Sequence, residues 1–114
     1  MLRTVDSFSG LVVELRERTD TLTAITVAGE IDMDNSADLL HEVVRLLPRH
    51  GTDQVDLDLG EVTFLGSAGV LALVQCREIA EQRGSRFGIS QAHRNVRQVL
   101  TICQLTDLFD LTPG

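Results

Sequence analysis

The run Val55-Asp56-Leu57-Asp58-Leu59 alternates apolar and acidic residues with a period of two, and soon after it Ser67 opens a stretch whose apolar positions recur at helical spacing. A strand that is apolar on one side, followed by an amphipathic helix, constrains the chain to layers in which helices cover a sheet. Val55, Leu57 and Leu59 point one way, so that face is covered; Asp56 and Asp58 point the other way, towards a more polar face. A turn is expected between Leu59 and Ser67, and the helix is expected over residues 67–83.

The flanking segments extend this pattern. Leu11, Val13 and Leu15 alternate with Val12, Glu14 and Arg16, and a second β-rich run covers Thr21 to Val27 after Thr19-Asp20, so the two are expected to pair as an antiparallel hairpin. Gly29 is expected to break the second strand. Asp34-Asn35-Ser36 then offers side-chain oxygens to cap a helix with Leu40, Val43, Val44 and Leu47 on its apolar stripe, ended by Pro48 and Gly51. Beyond a Gly84-Ser85 turn, Phe87 and Ile89 mark a short strand, and Val96, Val99, Leu100 and Cys103 share one stripe of a last helix. The expected fold class is therefore α/β, one domain over residues 1–114, with a mixed sheet, an N-terminal hairpin and right-handed crossover helices.

Within the central helix, Gly69, Ala72, Leu73, Cys76, Ile79 and Ala80 form the face expected to pack on the sheet. Ser67, Leu71, Val74 and Glu78 lie on the opposite side. Leu71 and Val74 then have two readings: part of a docking surface around Ser67, or side chains covered by a neighbouring helix. Ser67 also has two. It is a preferred helix cap, and it is a hydroxyl where free backbone N–H groups and about half a positive charge favour an anion, so a phosphate added there suits the local backbone.

Composition narrows the function. The formal net charge of −7 argues against nucleic acid or an anionic membrane surface as partner, and Trp and Tyr, which stack on bases, are absent. No apolar run reaches the length of a membrane span and no export signal is recognisable, so the chain is expected to be cytoplasmic. His41, His50 and His93 are scattered, which predicts no metal, and both cysteines are expected as buried structural thiols. There is no glycine-rich phosphate loop, no nucleophile beside a histidine and no recognisable acid–base carboxylate pair, so neither enzyme activity nor a cofactor is expected.

Three motifs in order resemble one family. Asp58-Leu59 ending a strand, followed by Ser67, Gly69 and Val70, is similar to the phosphoacceptor motif of STAS-domain anti-sigma factor antagonists; Gly29-Glu30-Ile31-Asp32 is similar to that family's Gly-Glu-Leu-Asp; and Leu105-Thr106-Asp107-Leu108-Phe109 is similar to its C-terminal ending. The resemblance implies a STAS fold, Ser67 as phosphoacceptor, and Asp32 beside it. It implies a serine-kinase-type anti-sigma factor as partner, sequestered by the unmodified antagonist so that a sigma factor is released, and lost on phosphorylation. Asp32, Asp58, Gly66, Ala68, Gly69, Val70, Leu71 and Val74 are the candidate partner-binding residues. Gly66 stands where the family has aspartate and Ala68 where it has a second hydroxyl residue, so both side chains that could orient the acceptor are missing. A rival with the same fold is a STAS module that is not phosphorylated, serving as accessory subunit of a lipid-transport ATPase or as a small-ligand or nucleotide sensor.

Overall fold

The computed structural model describes residues 4–8, 10–49 and 54–111. His50, Gly51 and the final three residues lie outside them. Strands β1 (Thr4–Phe8), β2 (Leu11–Arg18), β3 (Leu22–Ile31), β4 (Gln54–Leu65) and β5 (Arg86–Ala92) form one mixed sheet in chain order. The first three are antiparallel neighbours, whereas β3, β4 and β5 run parallel. Helix α1 (Ser36–Leu46) links β3 to β4, α2 (Ser67–Gln82) links β4 to β5, and α3 (Arg94–Ile102) follows β5. The expected hairpin is present as β2 and β3, and β1 adds an edge strand that the alternation alone did not reveal.

One face of the sheet supplies the core. Leu11, Val13 and Leu15 of β2, Ile25 and Val27 of β3, Val55, Leu57 and Leu59 of β4, and Phe87 and Ile89 of β5 are all buried beneath helices. Asp56 and Asp58 occupy the opposite face, as the alternation required. With Trp and Tyr absent, aliphatic side chains fill most of this interior, and an aromatic pair closes its edge. Phe109, in the tail after α3, meets Phe87 edge-to-face with ring centroids 6.3 Å apart. The Phe109 carbonyl accepts from Ile89 N–H at 2.9 Å, which ties the tail along β5.

Gly29, expected to break its strand, and Gly60, in the stretch expected to form a turn, both lie inside strands. β4 continues without a turn from Gln54 to Leu65; Gly60 sits at a register irregularity where its N–H donates to Asp58 Oδ1 at 2.8 Å. Gly29 lies within β3 at φ +119°, and a Cβ there would stand 2.1 Å from the Gly10 carbonyl oxygen. The close approach of the two backbones, rather than a chain reversal, is what demands glycine.

The helices begin and end for local reasons. Leu47 is extended (ψ 143°) ahead of Pro48, as sterics before proline require, and that stops α1. α2 closes in a Schellman arrangement: Gly84 takes φ +86°, with its N–H on Glu81 O and that of Ser85 on Ala80 O, both at 3.0 Å. The buried stripe of α1 is Leu39, Val43 and Leu46, rotated from the expected set, with Leu40 and Val44 only partly covered. In α2, Gly69, Ala72, Leu73, Cys76 and Ala80 are buried and Ile79 partly so, close to expectation.

Cys76 is the buried thiol expected, and burial pushes its pKa up to about 12. Cys103 is exposed, contrary to expectation. Its angle about α3 suits the stripe of Val96 and Leu100, but the helix stops at Ile102 and Gln104 turns the chain away at φ +59°.

Candidate functional site

The parallel register sets the geometry around Ser67. Ile31 of β3 lies opposite Leu65 of β4, and Gly66 N–H donates to Ile31 O at 2.9 Å. The chain after β3 and the start of α2 therefore emerge side by side at the carboxyl-terminal edge of the sheet, beyond the ends of two interior strands. Gly66 is the N-cap of α2 at φ −85°, ψ 174°, with no side-chain cap, and Ser67 is the first helical residue. The serine thus does not cap the helix. It is exposed, and it stands at the end where unpaired N–H groups concentrate.

The turn leaving β3 is held by its own side chains. Asn35 accepts from Asp32 N–H at 3.0 Å through Oδ1 and donates to Glu30 O at 2.8 Å through Nδ2. Asp32 Oδ1 accepts from Asp34 N–H at 2.9 Å, and the Asp32 carbonyl accepts from Ser36 N–H at 2.9 Å. Asn35 is the N-cap of α1, yet its side chain braces this turn and does not cap the helix. Asp32 therefore reaches the same edge as Ser67 while supporting the loop that carries it.

Gly69 anchors the other side. A Cβ at this position would lie 2.6 Å from both Ile31 Cγ2 and Leu65 Cδ1, so the first turn of α2 rests directly on the two strand ends. Gly66 is under no such constraint. A methyl added there would meet Phe64 Cε2 first, at 3.4 Å, an ordinary contact, and its φ suits any residue.

Of the sequence-predicted residues, Asp32, Gly66, Ser67, Ala68, Gly69, Val70 and Leu71 converge on this edge. Leu71 is 58 % exposed, Val70 is partly buried, and Val74 packs partly against the core. Gly69 is buried, which leaves it a packing role. Asp58 lies elsewhere: it pairs in register with Thr26, on the open sheet face, within a hollow that also involves Glu14, Arg16 and Gln91. Two residues that the sequence pattern did not single out join the edge: Met33, 81 % exposed, and Phe64, 49 % exposed. Exposed apolar side chains on the turn, the strand end and the helix thus share one end of the sheet with the serine, and Glu30, Asp34 and Asp38 are exposed along the segment that leaves β3 and opens α1. Among the described residues no group of three or more His, Cys, Asp or Glu side chains could hold a metal, and no helix is long and apolar enough to cross a membrane.

This sheet order, with a serine opening the helix after the central parallel strand, agrees with a family match. The family described as "Mlab, STAS domain" matches residues 14–112. The chain belongs to the STAS domain family. Solved structures place it in the same fold. An anti-sigma factor antagonist from Mycobacterium paratuberculosis is 24 % identical, with a TM-score of 0.66, 99 % of this chain and 86 % of that one being covered. The anti-sigma factor antagonist SpoIIAA in its unphosphorylated form is 17 % identical, with a TM-score of 0.69 and 83 % of each chain covered. The murine Slc26a9 anion transporter is 17 % identical with a TM-score of 0.70, over 80 % of this STAS chain but only 15 % of the transporter.

Proposed function

We propose that this STAS protein is a cytoplasmic anti-sigma factor antagonist that binds an anti-sigma factor of the serine-kinase type through the edge formed by Asp32, Met33, Phe64, Ser67 and Leu71. The observation that carries the reading is the exposed hydroxyl at the first residue of α2, at the same end of the sheet as the exposed apolar side chains of Met33, Phe64 and Leu71. Apolar surface with acidic residues around it suits a partner surface of mixed apolar and basic character. The antagonist structures are compatible with this choice, but the Slc26a9 transporter shares their fold, so the choice rests on the exposed serine and the apolar residues at its end of the sheet.

Phosphorylation of Ser67 would end the association electrostatically. A phosphoserine adds about −1.5 to −2 charges, which the helix N-terminus accepts in water but which the apolar part of the interface must desolvate. Burying that charge among the apolar side chains of the contact, beside the antagonist's own acidic residues, costs several kcal/mol, enough for orders of magnitude in affinity. The antagonist would keep its fold and lose its partner. The test is incubation with the candidate kinase and ATP: the reading expects a phosphate mass gain that disappears in Ser67→Ala, and it fails if the kinase binds the chain and modifies nothing or another residue.

A second reading draws support from Gly66 and Ala68, which put no side-chain group beside the hydroxyl to orient it. A STAS module serving as an accessory subunit of a lipid-transport ATPase needs no phosphoacceptor. Co-purification separates the two, because a serine kinase as the stoichiometric partner supports the antagonist and a transport ATPase supports the accessory subunit.

A further inference from the structure

The opposite end of α2 has a different electrostatic character from the Ser67 end, and it is far away: 16 residues of helix span roughly 24 Å. Here the C-terminal halves of α1 and α2 lie together. Arg83, just past α2, donates through Nη1 to Val44 O of α1 at 3.4 Å, and the Arg18 guanidinium of β2 donates to Leu46 O. Beside these contacts is a hollow of about 500 Å³ lined by His41, Val44, Arg45, Leu47, Arg49 and Arg83. No carboxylate is among its described lining residues. The volume falls within the range of small-molecule sites.

Arginines near helix C-termini have an ordinary use, which is to meet the last carbonyls and the negative end of the helix dipole. That use accounts for Arg18 and Arg83. Glu42, which binds Arg45, accounts for a further charge. Arg49 lies beyond α1 and is exposed, so neither use explains it. Among the described residues, three guanidinium groups line the hollow with no carboxylate in its lining, against Glu42 on Arg45 and about half a negative charge from each of two helix ends, so the described groups leave the hollow positive. This occurs in a chain whose formal net charge is −7.

We propose that this hollow binds a small phosphate-bearing anion. Guanidinium groups present rigid forks of donors that match phosphate oxygens in pairs, and a single hydrogen bond to Val44 O leaves most of the donors of Arg83 for such a ligand. Arg49 and Arg83 hold the oxygens from two sides, Arg45 adds charge, and Val44 offers a small apolar wall to the rest of the molecule. The phosphate belongs either to a free metabolite or to a lipid headgroup. The site is independent of the Ser67 edge, so either can fail without the other.

The experiment is a ¹H–¹⁵N titration of the full chain with inorganic pyrophosphate at low salt, alongside co-sedimentation with vesicles containing phosphatidylglycerol. Arg49→Glu is the decisive variant because the residue is exposed and lies outside every helix and strand; Arg94→Glu on α3 is the control. Saturable shifts confined to residues 41–49 and 80–84, weakened at least tenfold by Arg49→Glu and unaltered by Arg94→Glu, support the site and a free phosphate as its source. Sedimentation with vesicles that Arg49→Glu abolishes supports the headgroup. Absence of binding to either probe, shifts spread over all arginines without saturation, or affinity that Arg49→Glu leaves intact overturns the proposal.

Discussion

Adding one methyl at Gly69 tests whether α2 is seated on the strand ends as closely as the geometry demands. The new carbon would stand 2.6 Å from Ile31 Cγ2 and from Leu65 Cδ1, and 3.3 Å from Ile31 Cβ. Carbon atoms normally meet at about 3.5–4.0 Å, so two contacts are short by roughly 1 Å. Ile31 is fully buried and β-branched and has little room to yield, while the Leu65 methyl can rotate at some cost. Overpacking of this kind costs about 1–3 kcal/mol, against about 1 kcal/mol at most gained from replacing glycine with alanine in a helix. The net expectation for Gly69→Ala is a loss of about 1 kcal/mol, with the first turn of α2 lifted away from the sheet.

Gly66→Asp is the internal control, three residues away and of opposite sign. The site has φ −85° and no short contact, and an aspartate there can cap the free amides of the first turn. A gain of a few tenths to about 1 kcal/mol follows from the cap and the helix dipole. Urea denaturation reads both, since with a slope near 2 kcal/mol/M each kcal/mol moves the midpoint by about 0.5 M. Should Gly69→Ala unfold at or above the wild-type midpoint, the seating of α2 on Ile31 and Leu65 is wrong, and the position of Ser67 with it.

The remaining predictions concern the edge and the thiols. Ser67→Asp is expected to leave stability unchanged or slightly raised, because a carboxylate suits the helix N-terminus, while affinity for the kinase partner falls at least tenfold; equal affinity by titration calorimetry would refute the electrostatic switch. Leu71→Ser is expected to change stability by less than about 0.5 kcal/mol and to weaken partner binding, whereas Val74→Ser, which touches the core, is expected to destabilise by about 1 kcal/mol; melting curves together with binding isotherms check both. A thiol reagent at neutral pH is expected to label Cys103 in the native protein and Cys76 only on unfolding. Because the folded state holds the Cys76 proton up to about 12, against about 9.0 for a free thiol, stability present below pH 9 is lost as pH rises towards 12, by up to about 1.4 kcal/mol per pH unit. The chain has neither Lys nor Tyr to obscure this, so Cys76→Ala should remove the slope.

Much of the fold was legible because burial enforces periodicity. Val55, Leu57 and Leu59 had to face helices, and the stripe from Gly69 to Ala80 had to face the sheet, since any other orientation exposes the core. The failures fall where a local signal has two physical causes. Glycine permits a turn, and it also permits two backbones to come close; at Gly29 and Gly60 the strand continued through it, absorbed by register irregularities. Cys103 satisfied the angular condition for burial and missed the axial one, because the helix had ended.

The two ends of α2 differ in how far sequence could reach them. The Ser67 edge is assembled from two short segments, each recognisable in isolation: the turn after β3 and the start of α2. Even so, Phe64 and Met33 were hidden, because an apolar residue in a strand or beside one is read as core until its face is known. Irregular register along β4 leaves Thr63 and Phe64 both exposed between buried Val62 and Leu65. The basic hollow offers no such segment. His41, Arg45 and Arg49 follow one another along α1 and its exit with Glu42 as the single acid among them, but Arg83 comes from the end of another helix, and nothing in the sequence shows that the two meet. Net charge is a sum over the surface and carries no information about where its terms lie. A net charge of −7 therefore weighs against partners that cover the whole protein, such as duplex nucleic acid, but it has no force against a small anion held by three side chains.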